Sequence, residues 1–212
     1  MANRYKTVRG EAEGQLVIEK SKFIAAIRPV ENQEEAEAFL SEVRSRHWSA
    51  THNVPVYLLG ERFEIQKYSD DGEPSGTAGV PVLQMLMKEG ITNVALVITR
   101  YFGGIKLGTG GLVRAYTSAA KEALEKAGIV QVKDMDVILA RVGYTYHGKL
   151  ENLAQKGEFI IRHTVFEDEV KLEILSDPER TEGVKTLLSE VTSGSWRLLE
   201  EKQELERIPL KT

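Results

Sequence analysis

Three carboxylates lie close together in one polar loop and are the first residues in the sequence whose spacing could support chemistry. They are Asp70, Asp71 and Glu73, in the loop Ser-Asp-Asp-Gly-Glu-Pro-Ser-Gly-Thr-Ala-Gly at 69–79. Hard oxygen ligands at this spacing could hold Mg²⁺, although the pattern is not that of an EF-hand loop. The simpler interpretation, which the spacing favours, is a polar turn that caps the next helix through Ser75 or Thr77.

A glycine-rich segment follows later in the chain, between an apolar strand and a long helix. Glycines let backbone N–H groups approach an anion, and a helix N-terminus adds partial positive charge. Between Gly90 and Lys121 there are four basic residues and no acidic one. These features predict a phosphate site; the alternative is that the glycines serve tight turns and close packing. The predicted contacts are Arg100, Tyr101, Gly103, Gly104, Lys106, Gly108, Thr109, Gly110, Gly111 and Arg114.

The same segment contains aromatic residues, and it lacks the fingerprints of a nucleotide-binding enzyme. Tyr101, Phe102 and Tyr116 could stack on single-stranded bases, but core burial is the more common fate, and Tyr101 is the strongest of the three for stacking. The P-loop lysine is missing, since Thr109 follows Gly108, and no G-x-G-x-x-G is present. We therefore predict no cofactor, no bound metal and no catalytic residue. His52 and Asn53, together with the acidic loop, are expected to orient the site.

The composition sets limits on the function. The chain of 212 residues has a net charge of -4, which excludes a globally basic nucleic-acid binder but not a local basic patch. It has no cysteine, which excludes a disulfide framework, a thiolate zinc site and a cysteine nucleophile. The start of the chain lacks the apolar core of a signal peptide, and the longest apolar run, Val94 to Ile98, is too short to span a bilayer. We expect a cytoplasmic protein without membrane association.

The order of predicted elements indicates an α+β protein with two domains, 1–134 and 135–212, which meet at the charged pair Lys133-Asp134. Asn32 and Glu35 form a capping-box pattern that starts a helix from Gln33 to Arg46. The predicted elements of the first domain continue with strands at 54–59, 63–68 and 94–98, helices at about 77–88 and 112–127, and a strand at 129–132. Those of the second are strand 137–144, helix 148–155, strands 159–166 and 169–175, helix 179–191 and strand 196–201. The order β-α-β-β-α-β predicts a ferredoxin-like fold.

The two loops also carry a family resemblance, through several long motifs in the right order. Ser69 to Pro74 with Gly76-Thr77-Ala78-Gly79, Arg100-Tyr101-Phe102-Gly103-Gly104 and Leu107 to Leu112 resemble the signature of the YigZ/IMPACT family. Lys20-Ser21-Lys22-Phe23 and His52-Asn53 match further family positions, so the resemblance covers residues 20 to about 120. The last third of the chain is similar to the extra domain of bacterial members. Val54, Pro55 and Val56 follow the His-Asn pair, where some relatives carry a cysteine.

The resemblance implies the fold and the setting in which the protein acts. The first domain should resemble the second domain of a small-subunit ribosomal protein, a fold that small-molecule kinases also use. The second should resemble a ferredoxin-like domain of elongation factor G. Eukaryotic members bear on translational control through a protein partner, and a role for bacterial members in binding nucleic acid or the ribosome rests on analogy of fold.

Three functional hypotheses follow from these observations. The leading one is a non-catalytic protein of translation regulation that binds RNA or the ribosome, with Arg100, Lys106 and Arg114 on phosphates. The second is a Mg²⁺-dependent phosphoryl-transfer enzyme or another enzyme of a phosphate ligand, with Asp70 or Asp71 on the metal and His52 as base. The third is a protein-interaction module of the translation machinery. The first two require the loops 69–79 and 100–111 to be adjacent.

Overall fold

The computed structural model describes residues 3–210, which divide into two compact units. Among these residues, the first unit comprises 4–132 and 207–210, and the second comprises 133–206 and Asn3. The protein is of the α+β class with two domains, as predicted. None of the helices in this part of the chain has both the length and the apolarity that crossing a membrane requires.

The first unit is a five-stranded antiparallel sheet with helices on both faces. Its elements are β1 (Asn3–Val8), β2 (Ala12–Ile18), β3 (Ser21–Pro29), α1 (Gln33–Arg46), β4 (His52–Leu59), β5 (Ile65–Tyr68), α2 (Gly79–Glu89), β6 (Val94–Tyr101) and α3 (Gly108–Ala127). The sheet order is β2-β3-β6-β4-β5. One core cluster includes buried residues of α1, and a separate, larger cluster includes residues of α2 and α3. The central strand β6 is buried over nearly its whole length, which explains why its sequence is apolar on both faces.

The register of the sheet brings distant parts of the chain to one end. Lys22, at the start of β3, pairs with Tyr101 at the end of β6. His52, at the start of β4, pairs with Arg100. The turn after β4, which contains Arg62, lies at the opposite end, because β4 and β6 are antiparallel. The acidic loop and the glycine-rich segment therefore leave the sheet at the same end.

The chain passes from the first unit to the second within one long strand. β7 (Ile129–Val142) is continuous, whereas the sequence predicted two strands separated by Lys133-Asp134. Those two charged residues are only partly exposed, so a polar pair in a strand was misread as a break. The last described residues return to the first unit, where the N–H of Leu210 donates to the Ile129 carbonyl at 3.5 Å.

The second unit has the strand order of a ferredoxin-like fold. Its remaining elements are α4 (Tyr144–Gln155), β8 (Ile160–Phe166), β9 (Val170–Ser176), α5 (Thr181–Thr192) and β10 (Arg197–Pro209). This sheet has five strands, in the order β1-β7-β9-β8 with β10 also paired to β7. Within it, the order β10-β7-β9-β8 is that of the split β-α-β motif, as predicted. Two boundaries in this unit differ from prediction by more than two residues. Helix α4 begins at Tyr144 rather than Gly148, because Gly148 is tolerated inside the helix, and β10 extends beyond the predicted end at 201 to Pro209.

Candidate functional site

The acidic loop and the end of β6 are in direct contact, as the sequence predicted. The Arg100 guanidinium donates through Nη1 to Glu73 Oε1 at 2.6 Å. The two side chains are only 5% and 4% exposed, so this is a buried ion pair. The hydroxyl of Tyr116, on α3, donates to the same carboxylate oxygen at 2.7 Å. Burial, and then this hydrogen bond, raise the pKa of Tyr116, so the phenol remains protonated.

Arg100 is buried among internal partners, which changes the role that the sequence suggested for it. Nη2 donates to Ser21 Oγ at 3.3 Å, and the guanidinium lies between the rings of Phe23 and Phe102, at 5.3 and 5.4 Å from their centroids. The residue is 4% exposed. The structure therefore places Arg100 as an internal counter-ion of Glu73 rather than as a phosphate contact, because a cation beside a buried carboxylate is held there.

The other two carboxylates of the acidic loop also have internal partners. Asp70 accepts the backbone N–H groups of Gly76, Ala78 and Gly79, at 2.7, 3.1 and 2.8 Å, and so caps the start of α2. Thr77 was predicted as the cap, but its hydroxyl donates to the Pro74 carbonyl instead. The interpretation of the loop as a helix-capping turn was therefore correct, although the residue that caps is Asp70.

Asp71 connects the loop to β4 and α1. It accepts the backbone N–H of Asn53 at 2.6 Å and the guanidinium of Arg44 at 3.0 Å. Its carbonyl is 2.7 Å from Nδ1 of His52, which must carry the proton because a carbonyl only accepts. Nε2 of His52 then faces Glu73 Oε1 at 3.7 Å. Asn53 is buried and bonded to Thr99 and the His47 carbonyl, so it supports the loop from within.

The glycine-rich segment is shaped by steric requirements at two positions. A Cβ at Gly103 would lie 2.1 Å from the backbone of Lys20, so the loop packs directly on the turn between β2 and β3. Gly108 has a φ of +68°, which favours glycine. At these two positions, close packing and a left-handed backbone explain the glycines without a bound anion. The helix that follows, α3, has no side-chain cap and no acidic residue in its first turn. Its N-terminal N–H groups at 108–111 are free of a capping side chain.

Four basic residues lie in this segment, at the start of α3 or at the turn between β2 and β3, and we call them the basic cluster: Lys20, Lys22, Lys106 and Arg114. None of them forms an ion pair or a side-chain hydrogen bond with another described residue. Lys106 and Arg114 line a cavity of about 450 Å³ between the loop, α3 and the turn after β2, in which Glu19 is the one carboxylate. The sequence predicted Lys106 and Arg114. It did not single out Lys20 and Lys22, although their motif was noted.

Sequence reasoning missed two other features of this end of the sheet. Ser21 is fully buried, and its hydroxyl accepts both Arg100 and the backbone N–H of Gly103 at 3.1 Å. Trp48 lies in the turn after α1 and is 83% exposed. Tyr101, the predicted stacking residue, is half-buried, and its hydroxyl is bonded to Nδ1 of His47 at 3.0 Å. Trp48 could have been found from the sequence, because a tryptophan in the polar stretch His47-Trp48-Ser49 is expected to be exposed.

No set of three or more histidine and carboxylate side chains in the described residues is arranged to hold a metal ion. Asp70 and Asp71, the predicted ligands of the enzyme hypothesis, use their oxygens on backbone N–H groups and on Arg44. The arrangement instead offers free cations, an uncapped helix N-terminus and exposed aromatic surface at one end of the sheet.

Comparison with known proteins identifies the family. The Impact N-terminal domain matches residues 19–124, and a domain of unknown function, DUF1949, matches residues 141–195. IMPACT family member YvyE of Bacillus subtilis (strain 168) is 41% identical over 92% of this chain and 89% of its own length. IMPACT family member YigZ of Escherichia coli (strain K12) is 43% identical over 51% of this chain and 54% of its own. The chain belongs to the IMPACT family, which confirms the resemblance that its motifs carry.

A solved structure resembles this chain over most of its length. It is described as the crystal structure of a hypothetical protein, is 29% identical, and superposes with a TM-score of 0.57. The match covers 92% of this chain and 96% of that chain. The likeness thus spans both units, although the description of that protein names no activity.

Proposed function

We propose that this protein is a non-catalytic, cytoplasmic RNA-binding protein that acts on the ribosome or its RNA in translation regulation. The observation that carries the proposal is the basic cluster. Four cations lie around the glycine-rich segment without a carboxylate partner among the described residues. Other cations of the same unit are either paired with glutamates, as Arg28 and Arg46 are, or lie away from this segment, as Arg62 does at the opposite end of the sheet. Cations left unpaired in one place favour a polyanion as the guest.

The backbone adds to this field. The N-terminus of α3 presents N–H groups at 108–111 beside Lys106 and Arg114, and it has no acidic residue to neutralise it. A helix N-terminus together with fixed cations is a good environment for a phosphate oxygen. Because Arg100 is internal, the phosphate contacts of this proposal are Lys20, Lys22, Lys106 and Arg114.

A binder is favoured over an enzyme by the way the acidic loop is used. Asp70 caps a helix, Asp71 holds β4 and Glu73 neutralises Arg100. Each carboxylate that the enzyme hypothesis needs therefore already has a structural role within the first unit. The acidic loop holds the buried side of the site in place. The basic cluster forms the exposed side of the site.

Charge reversal tests the proposal. Lys106→Glu and Arg114→Glu should each weaken RNA or ribosome binding by about fivefold at 0.1 M salt. Each lost phosphate contact on a single strand removes about 0.7 from the log–log salt slope, and a slope of about 0.7 corresponds to about fivefold in affinity per tenfold change in salt. The full cluster of four predicts a slope of about -2.8. The measurement is a salt titration of affinity for RNA and for purified ribosomal subunits.

Arg62→Glu is the matched control, since Arg62 is an exposed cation at the opposite end of the same sheet. It changes the net charge by the same amount and should leave affinity and slope nearly unchanged. Equal losses for all three variants would show that only the net charge matters. No RNA or ribosome binding by the unmodified chain, or phosphate release from nucleotide in the presence of Mg²⁺, would refute the proposal.

A further inference from the structure

Arg100 stacks on two aromatic rings, the buried Phe23 and the exposed Phe102. Phe23 is fully buried, and the guanidinium of Arg100 lies over its ring at 5.3 Å. Phe102 lies on the guanidinium at 5.4 Å and is 48% exposed. A cation held against an aromatic face attracts it, so Arg100 fixes one face of the Phe102 ring. About half of the residue remains open to solvent.

The backbone on both sides of Phe102 is also held. Its N–H donates to Thr51 Oγ1 at 3.1 Å, and the next N–H, of Gly103, donates to Ser21 Oγ at 3.1 Å. Thr51 in turn donates its N–H to the Arg100 carbonyl at 2.9 Å, and it ends the turn that carries Trp48. Two exposed aromatic side chains thus belong to one hydrogen-bonded group of turns. The backbone that carries them therefore does not have to be ordered when a ligand binds.

We infer that the ligand of this surface is single-stranded RNA, with one unstacked base placed on Phe102 and a neighbouring base on Trp48. The inference rests on the proposed function and specifies its substrate class. A free aromatic face accepts the face of a base, and in a duplex those faces are covered by neighbouring pairs. Lys106 lies four residues after Phe102 in the same loop, and Lys22 pairs in register with the preceding residue, Tyr101. Base stacking with phosphate contacts on either side is the pattern of single-strand binding.

The charge of the surroundings decides between RNA and a protein as the occupant. An exposed aromatic residue is also the usual centre of a protein interface. Phe166, in the second unit, is such a residue: it is 58% exposed, but it is stacked on Tyr144 and adjoins the acidic turn Glu167-Asp168-Glu169. Phe102 instead shares its loop with the unpaired Lys106, and its neighbour Tyr101 pairs in register with Lys22, which favours a polyanion. Phe166 is therefore the matched control for Phe102.

The experiment compares an unstructured oligouridine of about 12 nucleotides, within the range of single-strand sites, with an RNA duplex of the same length, using the full chain. Phe102→Leu, which keeps an apolar side chain without a ring, should weaken single-strand binding by about 5- to 100-fold and leave duplex binding unchanged. Phe102→Tyr should retain the affinity, and Phe166→Leu should have no effect. In the variant Trp196→Phe, which leaves Trp48 as the one tryptophan, the single strand should quench the fluorescence and the duplex should not.

Each other outcome has a distinct meaning. If Phe102→Leu binds the single strand as tightly as the unmodified chain, or loses both RNAs equally, the inference is wrong while the proposed function stands. Tighter binding of the duplex at equal salt would also overturn it. If the unmodified chain binds neither RNA, the proposed function itself fails. A thermal melt of Phe102→Leu that matches the unmodified chain shows that the loss of affinity is not a loss of fold.

Discussion

The two units use their charged residues in different ways. Residues 1–132 contain sixteen basic and sixteen acidic residues, whereas residues 133–206 contain ten basic and sixteen acidic residues, a net charge of -6. The whole acidic excess of the chain therefore lies in the second unit. The first unit, to which Arg207 also belongs, has no acidic excess, and its acidic loop is engaged internally while the basic cluster is left free. Net charge alone consequently gives no guide to where an anion could bind in this protein.

Two arginines, one in each unit, show how burial changes the dependence of a cation on its carboxylate partners. Arg100 has one carboxylate partner and a side chain that is 5% exposed. Arg162, in the second unit, is bonded to Glu173, Glu204 and Glu206, and its side chain is 25% exposed. The hydrogen bond to Glu173 and the negative charges around it raise the pKa of Arg162. Arg162 has more partners, but water can replace any one of them. Removal of the single partner of Arg100 leaves a buried charge without compensation.

Glu73→Ala should therefore destabilise the protein far more than the loss of any one carboxylate at the Arg162 cluster. The substitution leaves the Arg100 guanidinium and the Tyr116 hydroxyl buried without their acceptor, at a cost of about 3–5 kcal/mol in the free energy of unfolding. Glu206→Ala, at the Arg162 cluster, should cost about 1 kcal/mol or less because two carboxylates remain. Urea denaturation of the intact chain provides the measurement.

A double substitution sharpens the same comparison. Arg100→Met added to Glu73→Ala removes the uncompensated charge and should recover part of the lost stability. The absence of any recovery would mean that the cost arises from the cavity and from Tyr116 rather than from the charge. Equal costs for Glu73→Ala and Glu206→Ala would contradict the claim that burial separates the two clusters.

Local patterns in the sequence predicted the local parts of this fold. Helix α1 spans Gln33–Arg46 as predicted, because Asn32 caps it and its buried residues recur at helical spacing. The split β-α-β order of the second unit was also predicted, since each element carries its own periodicity. The contact between the two loops was predicted from their complementary charges and is present as the Arg100–Glu73 ion pair.

Features that depend on packing could not be predicted in this way. Arg100 and Lys106 are both cations in one glycine-rich segment, yet one is buried by Phe23, Phe102 and Glu73 while the other is exposed. Their sequence neighbourhoods do not distinguish them, because the burial of Arg100 depends on residues far away in the chain. The choice of Asp70 rather than Thr77 as the cap of α2 likewise depends on a loop that folds back over the helix N-terminus.

Asp70→Ala tests whether the acidic loop supports the site rather than binding a ligand. Because Asp70 accepts three backbone N–H groups at the start of α2, its loss should cost about 1–2 kcal/mol of stability. Affinity for RNA at a temperature where the protein remains folded should be largely unchanged. Ser75→Ala is the control, since Ser75 is exposed and makes no side-chain hydrogen bond with a described residue. A large loss of RNA affinity in Asp70→Ala, with stability intact, would place Asp70 in the binding site.

The smallest expected effect is a pH dependence in the second unit. The hydrogen bond to Arg162, and then its charge, hold the pKa of Glu173 below its ordinary value of 4.5. The folded state therefore binds fewer protons at Glu173 than the unfolded state does, and stability must rise with pH in this range. The contribution is complete above about pH 4.5 and is lost as the pH falls through the lowered pKa. A partly exposed pair should contribute about 0.2–1 kcal/mol.

Trp196 makes this contribution measurable in the intact chain. It packs against the core of the second unit, and in the variant Trp48→Phe it is the one tryptophan left. Urea denaturation of that variant, followed by fluorescence, should show stability falling as the pH is lowered below about 4.5. Adding Glu173→Gln removes the titrating group and should flatten part of the fall. If Glu173→Gln leaves the pH profile as it was, the bond to Arg162 does not stabilise the second unit, and the contrast between the two arginines then rests on Arg100 alone.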